Sequence, residues 1–170
     1  MLFDAYPFQR RVAELLLAGR NVILQAPTGA GKTWAAKLPF VEARDRGLSF
    51  PKKAIYAVPM RVLANQFVED HHDPRFDDGR ALPFAAGIVT GERPEDREFR
   101  RDMVFATIDQ VLSSFLLSPY SLSRRQGNLN AGAVASSYLV LDEFHLFDPA
   151  SMLPTTLRCC ACCAAWYPSC

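Results

Sequence analysis

Ala26-Pro27-Thr28-Gly29-Ala30-Gly31-Lys32-Thr33 is the stretch from which the fold can be read. An apolar run, Val22-Ile23-Leu24, precedes it, and an amphipathic run, Trp34-Ala35-Ala36-Lys37-Leu38, follows it. It therefore falls where a strand hands over to a helix, the context that a phosphate-binding loop requires. Gly29 and Gly31 let the backbone curl so that successive N–H groups face an anion. The helix that follows contributes the positive end of its dipole. Lys32 is placed to reach the β- and γ-phosphates of a nucleotide such as ATP, and the Thr33 hydroxyl to ligate Mg2+. Ala26 stands where Gly is commoner. The match in this context argues against an ordinary Gly-containing turn.

Composition sets the outer bounds. The 170 residues suit one domain with a real core. An apolar content of 49% and a charged content of 22% describe an ordinary globular chain. A net charge of +1 gives no global attraction to nucleic acid, so such a role must rest on local sites. No apolar run approaches a membrane span, and Met1-Leu2-Phe3-Asp4 is not a secretory signal. A cytoplasmic protein without membrane partners is expected.

Strands and helices alternate along the chain. Residues 4–19 read as a helix that Asp4 can cap and Gly19 ends, with Gln9 near its start. Strands are expected at Asn21–Gln25, Ala54–Val58, Phe84–Val89, Met103–Ala106 and Tyr138–Leu141. Helices are expected from the phosphate loop to about Arg46, over Arg61–Asp70, over Ile108–Leu117 and from Ala150. Residues 71–82 and 118–132 read as loops. This alternation predicts an α/β fold, mainly a parallel sheet flanked by helices.

All five cysteines lie near the end: Cys159, Cys160, Cys162, Cys163 and Cys170. Zinc would need a second pair of ligands on another segment, and a disulfide framework does not suit a cytoplasmic NTPase. The abrupt change in composition suggests a tail, residues 158–170, that is non-native or disordered, behind a domain at 1–157.

Tyr138-Leu139-Val140-Leu141 feeds Asp142-Glu143-Phe144-His145. A parallel strand brings its C-terminal end to the sheet edge that carries a phosphate loop. Asp142 would hold the magnesium, usually through a water, and Glu143 would orient and activate the attacking water. An Asp-Glu pair after a strand is weak evidence alone, and strong with a phosphate loop upstream.

Asp142-Glu143-Phe144-His145 resembles the D-E-x-H box of superfamily-two helicases. Gln9 is similar to the adenine-reading glutamine upstream of their phosphate loop. Pro59-Met60-Arg61-Val62-Leu63-Ala64-Asn65-Gln66 resembles P-T-R-x-L-A-x-Q, which grips the nucleic-acid backbone, with Met60 in place of Thr. Thr90-Gly91 resembles the next backbone-contacting motif. Ala106-Thr107-Ile108-Asp109-Gln110-Val111-Leu112 and the stretch from Leu141 to Pro149 resemble the CRISPR-associated helicases of type I systems, with Phe144 pointing to the type I-D branch. The resemblance covers residues 6 to about 157.

That resemblance implies the first RecA-like lobe of an ATP-dependent DNA helicase. Gln9 and Ala26–Thr33 would hold ATP, while Lys32, Asp142 and Glu143 would serve catalysis. Thr33 and Asp142 would hold Mg2+. Arg61, Thr90, Gly91 and Thr107 would contact single-stranded DNA, and His145 would couple the nucleotide site to the motor. A surveillance complex and a separate nuclease chain are the implied partners. The S-A-T motif, a second lobe and an HD nuclease domain are not seen, so weak nucleotide binding and no unwinding are expected of this chain alone. Two alternatives remain open. A P-loop kinase or other small-substrate NTPase leaves the Pro59–Gln66 and Thr107–Leu112 phrases without a purpose. A truncated, non-functional helicase fragment would account for the cysteine tail.

Overall fold

The computed structural model describes residues 5–59, 86–89, 96–120 and 126–166, and residues 163–166 by their backbone alone. Along the sequence the chain divides into two compact units, one up to Phe50 and the other from Pro51.

The first unit is built on two helices. Helix α1 spans Pro7–Leu17 and α2 spans Lys32–Arg46, and the two pack together. Pro7 sits at the first helical position, where its missing N–H costs nothing. The cap is Tyr6, and Gln9 Oε1 accepts the Tyr6 backbone N–H at 2.8 Å, closing the first turn. Asp4, the cap read from the sequence, lies outside the described residues. Gly47, in the left-handed region, ends α2.

The strand expected at Asn21–Gln25 does not form. Residues 20–27 carry no regular secondary structure, and the Ile23 side chain is fully exposed. Burial still alternates along the run, with Val22 and Leu24 half-buried between exposed neighbours. The period-two pattern is there, but a strand also needs a neighbour to take its backbone hydrogen bonds. Among the described residues none pairs with it.

The second unit holds a four-stranded parallel sheet in the order β2-β3-β1-β4. The strands are β1 (Ala54–Val58), β2 (Ala86–Val89), β3 (Met103–Thr107) and β4 (Tyr138–Leu141). The inner strands β1 and β3 are buried along their whole length, whereas β4, at the edge, is half-buried. Parallel strands covered on both faces read as unbroken apolar runs, which is why these were legible. Ile55 and Ala57 of β1, Val104 and Ala106 of β3 and Val89 of β2 belong to one core cluster, with Leu139 and Leu141 of β4 packed against it. Three helices add to that core, α3 (Ile108–Phe115), α4 (Gly127–Ala135) and α5 (Met152–Trp166), through Val111, Val134 and Cys159 among others, and Phe99 and Phe147 join it from outside the helices.

Two differences from the sequence reading concern these helices. The stretch 118–132, read as a loop, contains the start of α4. Its Gly, Asn and Ala residues look like a loop in isolation, but Val134 and Asn130 are wholly buried and tie it down. The expected change of character at Arg158 is not a structural break. Helix α5 runs on to Trp166, and Cys159 is buried in the core. Met152-Leu153, Thr156 and Cys159 recur at helical spacing, which accounts for one buried stripe. Cys159, Cys160 and Cys162 form no disulfide among the described residues. The expected helix over Arg61–Asp70 lies outside the described residues. None of the described helices is long and apolar enough to cross a membrane.

Candidate functional site

The stretch Ala26–Thr33, read from the sequence as a phosphate loop, runs into the turn that opens α2. Gly29 and Gly31 hold φ of 79° and 83°, backbone that other residues adopt at a cost. Gly31 is the cap of α2, and its carbonyl takes the first helical bond, from Ala35 N–H at 3.0 Å. The first N–H groups of α2 have no partner within the helix, so Lys32 and Thr33 begin the helix where an anion is best received. Ala30 N–H donates to the Pro27 carbonyl at 3.3 Å, curling the loop back on itself. Lys32 Nζ donates to the Ala26 carbonyl at 3.0 Å and so spans the loop from its last turn to its first residue.

Gln9 belongs to the same constellation. Its Nε2 donates to the Gly31 carbonyl at 3.1 Å while its Oε1 holds the start of α1. The side chain is 3% exposed. A methyl group added at Gly31 would come within 2.6 Å of Gln9 Nε2, so the amide seats against a position only glycine leaves open. The spacing between Gln9 and Lys32 thus becomes a direct contact between α1 and the loop.

The acidic box sits in the second unit, at the C-terminal end of β4. Asp142 N–H donates to the Ala57 carbonyl at 2.9 Å, continuing the β1–β4 ladder by one bond. Its Oδ1 accepts Glu143 N–H at 2.9 Å, and its Oδ2 accepts the Tyr56 hydroxyl at 2.7 Å. Glu143 has φ 50° and ψ 39°, a left-handed backbone unusual for a side chain of this kind. Such strain concentrates where side chains must be aimed. Phe144–Leu146 then form a short 3-10 turn. His145 Nδ1 lies 3.4 Å from Glu143 Oε2, and the imidazole is largely exposed.

Thr33, in the first unit, and Asp142, in the second, each carry oxygen donors, the ligand type that magnesium takes. Among the described residues no group of three or more His, Cys, Asp or Glu is placed to hold a metal ion. The residues expected to contact nucleic acid are placed only in part. Arg61, Thr90 and Gly91 lie outside the described residues. Thr107 caps α3 and is 5% exposed, which leaves its side chain inside the fold. Tyr56 was not singled out in the sequence. A buried tyrosine in the otherwise aliphatic run Ala54-Ile55-Tyr56-Ala57-Val58 was the available signal, because its hydroxyl needs a polar partner.

Comparison with known proteins places these features in context. The family model for DEAD/DEAH box helicases matches residues 6–164. The ATP-dependent DNA helicase Hel308 of Thermoplasma acidophilum is 32% identical over 155 residues, covering 90% of this chain and 20% of the relative. The chloroplastic DExH-box ATP-dependent RNA helicase DExH15 of Arabidopsis thaliana is 26% identical over 144 residues, covering 85% of this chain and 11% of the relative. The chain thus spans about a fifth or less of the curated relatives it matches. Among solved structures, the UvsW helicase of bacteriophage T4 has a TM-score of 0.51 at 18% identity, covering 90% of this chain and 57% of that one. That likeness supports the RecA-like fold.

Proposed function

This chain belongs to the DEAD/DEAH box helicase family, and from that premise we propose that it is the ATP-binding first lobe of a motor that moves along single-stranded DNA. The observation that carries the reading is the loop Ala26–Thr33 at the head of α2, with Gln9 hydrogen-bonded to it. Lys32 would release the Ala26 carbonyl and turn its ammonium to the β- and γ-phosphates. The N–H groups of Lys32 and Thr33 at the start of α2 would receive the same phosphates. Gln9 would read the adenine edge and report on the loop through Gly31. Thr33 and Asp142 are the residues that would hold magnesium, which when bound neutralises charge developing on the phosphates. Glu143, aimed by its left-handed backbone, would take up the proton of the attacking water.

DNA rather than RNA as the track is favoured by the Hel308 relatives, while DExH15 represents the other choice. The narrower reading, a CRISPR-associated type I helicase with a surveillance complex or nuclease partner, is supported only by the phrases Ala106–Leu112 and Leu141–Pro149.

Titration calorimetry with ATP and magnesium tests the site. The wild-type chain should bind, and Lys32→Ala should weaken binding about tenfold to a hundredfold, the effect of one hydrogen bond to a charged group. Equal affinity in the two proteins would remove the phosphate loop from the assignment. A small-molecule kinase should ignore both RNA and DNA. A gain in nucleotide affinity on adding single-stranded oligonucleotide would therefore favour the motor.

A further inference from the structure

We propose that Tyr56 is a positioning residue for the nucleotide-bound magnesium, acting through the carboxylate of Asp142. The inference rests on the nucleotide-site reading above. Tyr56 stands in the middle of β1, opposite Val140 of β4. Side chains alternate between the faces of a sheet, so residues 140 and 142 project to the same side. A tyrosine beside Val140 therefore extends its hydroxyl toward the residue two positions on, just past the strand end. The hydroxyl donates to Asp142 Oδ2 at 2.7 Å, a well-formed O–H···O bond.

The ring has little freedom. It is 3% exposed and packs on Phe105 of β3 with centroids 5.7 Å apart and planes tilted by 38°. Asp142 is consequently held at three points: its N–H by Ala57, Oδ1 by Glu143 N–H and Oδ2 by Tyr56. A carboxylate oxygen has more than one lone pair, so the bond from Tyr56 sets the orientation of Oδ2 and leaves acceptor capacity for a metal-bound water. Partners of this kind orient ligands and tune affinity without touching the ion. A tyrosine whose hydroxyl served only the core would be replaceable by phenylalanine without effect on magnesium.

The test is the affinity for ATP in excess magnesium and in excess EDTA, for wild type, Tyr56→Phe, Asp142→Ala and the double variant. Phenylalanine keeps the ring and its packing on Phe105, and thermal unfolding is followed in parallel. Tyr56→Phe should bind ATP in EDTA as wild type does and lose about tenfold of the gain that magnesium confers. In the Asp142→Ala background the same substitution should change nothing, because both act through one carboxylate. An undiminished magnesium gain in Tyr56→Phe, or an equal loss in magnesium and EDTA, would overturn the proposal. Failure of wild type to bind ATP in either condition would overturn the nucleotide reading itself, and this proposal with it.

Discussion

Gly29 and Gly31 share a left-handed backbone, but only one of them is crowded. A methyl group at Gly29 meets nothing within 4 Å, whereas at Gly31 it meets the Gln9 amide. Gly29→Ala should cost about 1–2 kcal/mol of stability, the price of the conformation alone. Gly31→Ala should cost about 1 kcal/mol more, because the hydrogen bond from Gln9 is lost as well. Chemical denaturation of the two variants checks the difference. Adding Gln9→Ala should be nearly free in the Gly31→Ala background and costly in wild type. Asn130 is a second residue of this kind. It is wholly buried, and Nδ2 donates to the Arg97 carbonyl at 2.9 Å. Asn130→Ala should leave that carbonyl unanswered and destabilise by about 1–3 kcal/mol in the same assay.

Elements differ in how openly they announce themselves. Ala54–Val58, Met103–Thr107 and Tyr138–Leu141 were readable because a covered parallel strand is a short apolar run and little else resembles it. The turn at the head of α2 was readable because two glycines at a fixed spacing precede a helical run. Val22-Ile23-Leu24 carried the same apolar signature and formed no strand, since pairing is a property of two segments and composition belongs to one. Helix α4 was missed for the opposite reason: two glycines and two asparagines interrupt its alanines and read as a loop, and burial of its own Asn130 and Val134 holds it. Tyr56 was hidden because its partner is 86 residues away. Helix α5 offers a test at this scale. Asp148 accepts the Ser151 N–H at 2.9 Å and the Ser151 hydroxyl at the helix entrance. These bonds, the hydroxyl's foremost, hold the Asp148 carboxyl below its ordinary range. A depressed native value means that the stabilisation is present above the unfolded-state pKa and fades as pH falls through the native one. Acid titration of stability should therefore show a shallower loss in Asp148→Asn than in wild type.

At the scale of the molecule, protection should follow the sheet order. Native-state hydrogen exchange should find the amides of β1 and β3 slowest, those of β4 intermediate, and those of residues 20–27 fast. Ile23→Ser should change stability by no more than about 0.5 kcal/mol, since the side chain has already kept its contact with water. If the motor reading holds, affinity for a single-stranded oligonucleotide should fall steeply with salt, because phosphate contacts release counterions.

The order β2-β3-β1-β4 has a consequence for the ribosome. The strand at the heart of the sheet is made first and is bonded on both sides by strands made later, Met103–Thr107 on one and Tyr138–Leu141 on the other. Residues 59–102 lie between β1 and β3, and synthesis runs at roughly 5–20 residues per second, so β1 waits for about 2–9 seconds. During that interval Ala54-Ile55-Tyr56-Ala57-Val58 is a bare, uncharged, β-prone segment, the kind that seeks a strand on another molecule. Lys52 and Lys53 stand immediately before it. Their charges repel a second copy of the same nascent segment, a gatekeeping duty served before there is any fold to stabilise.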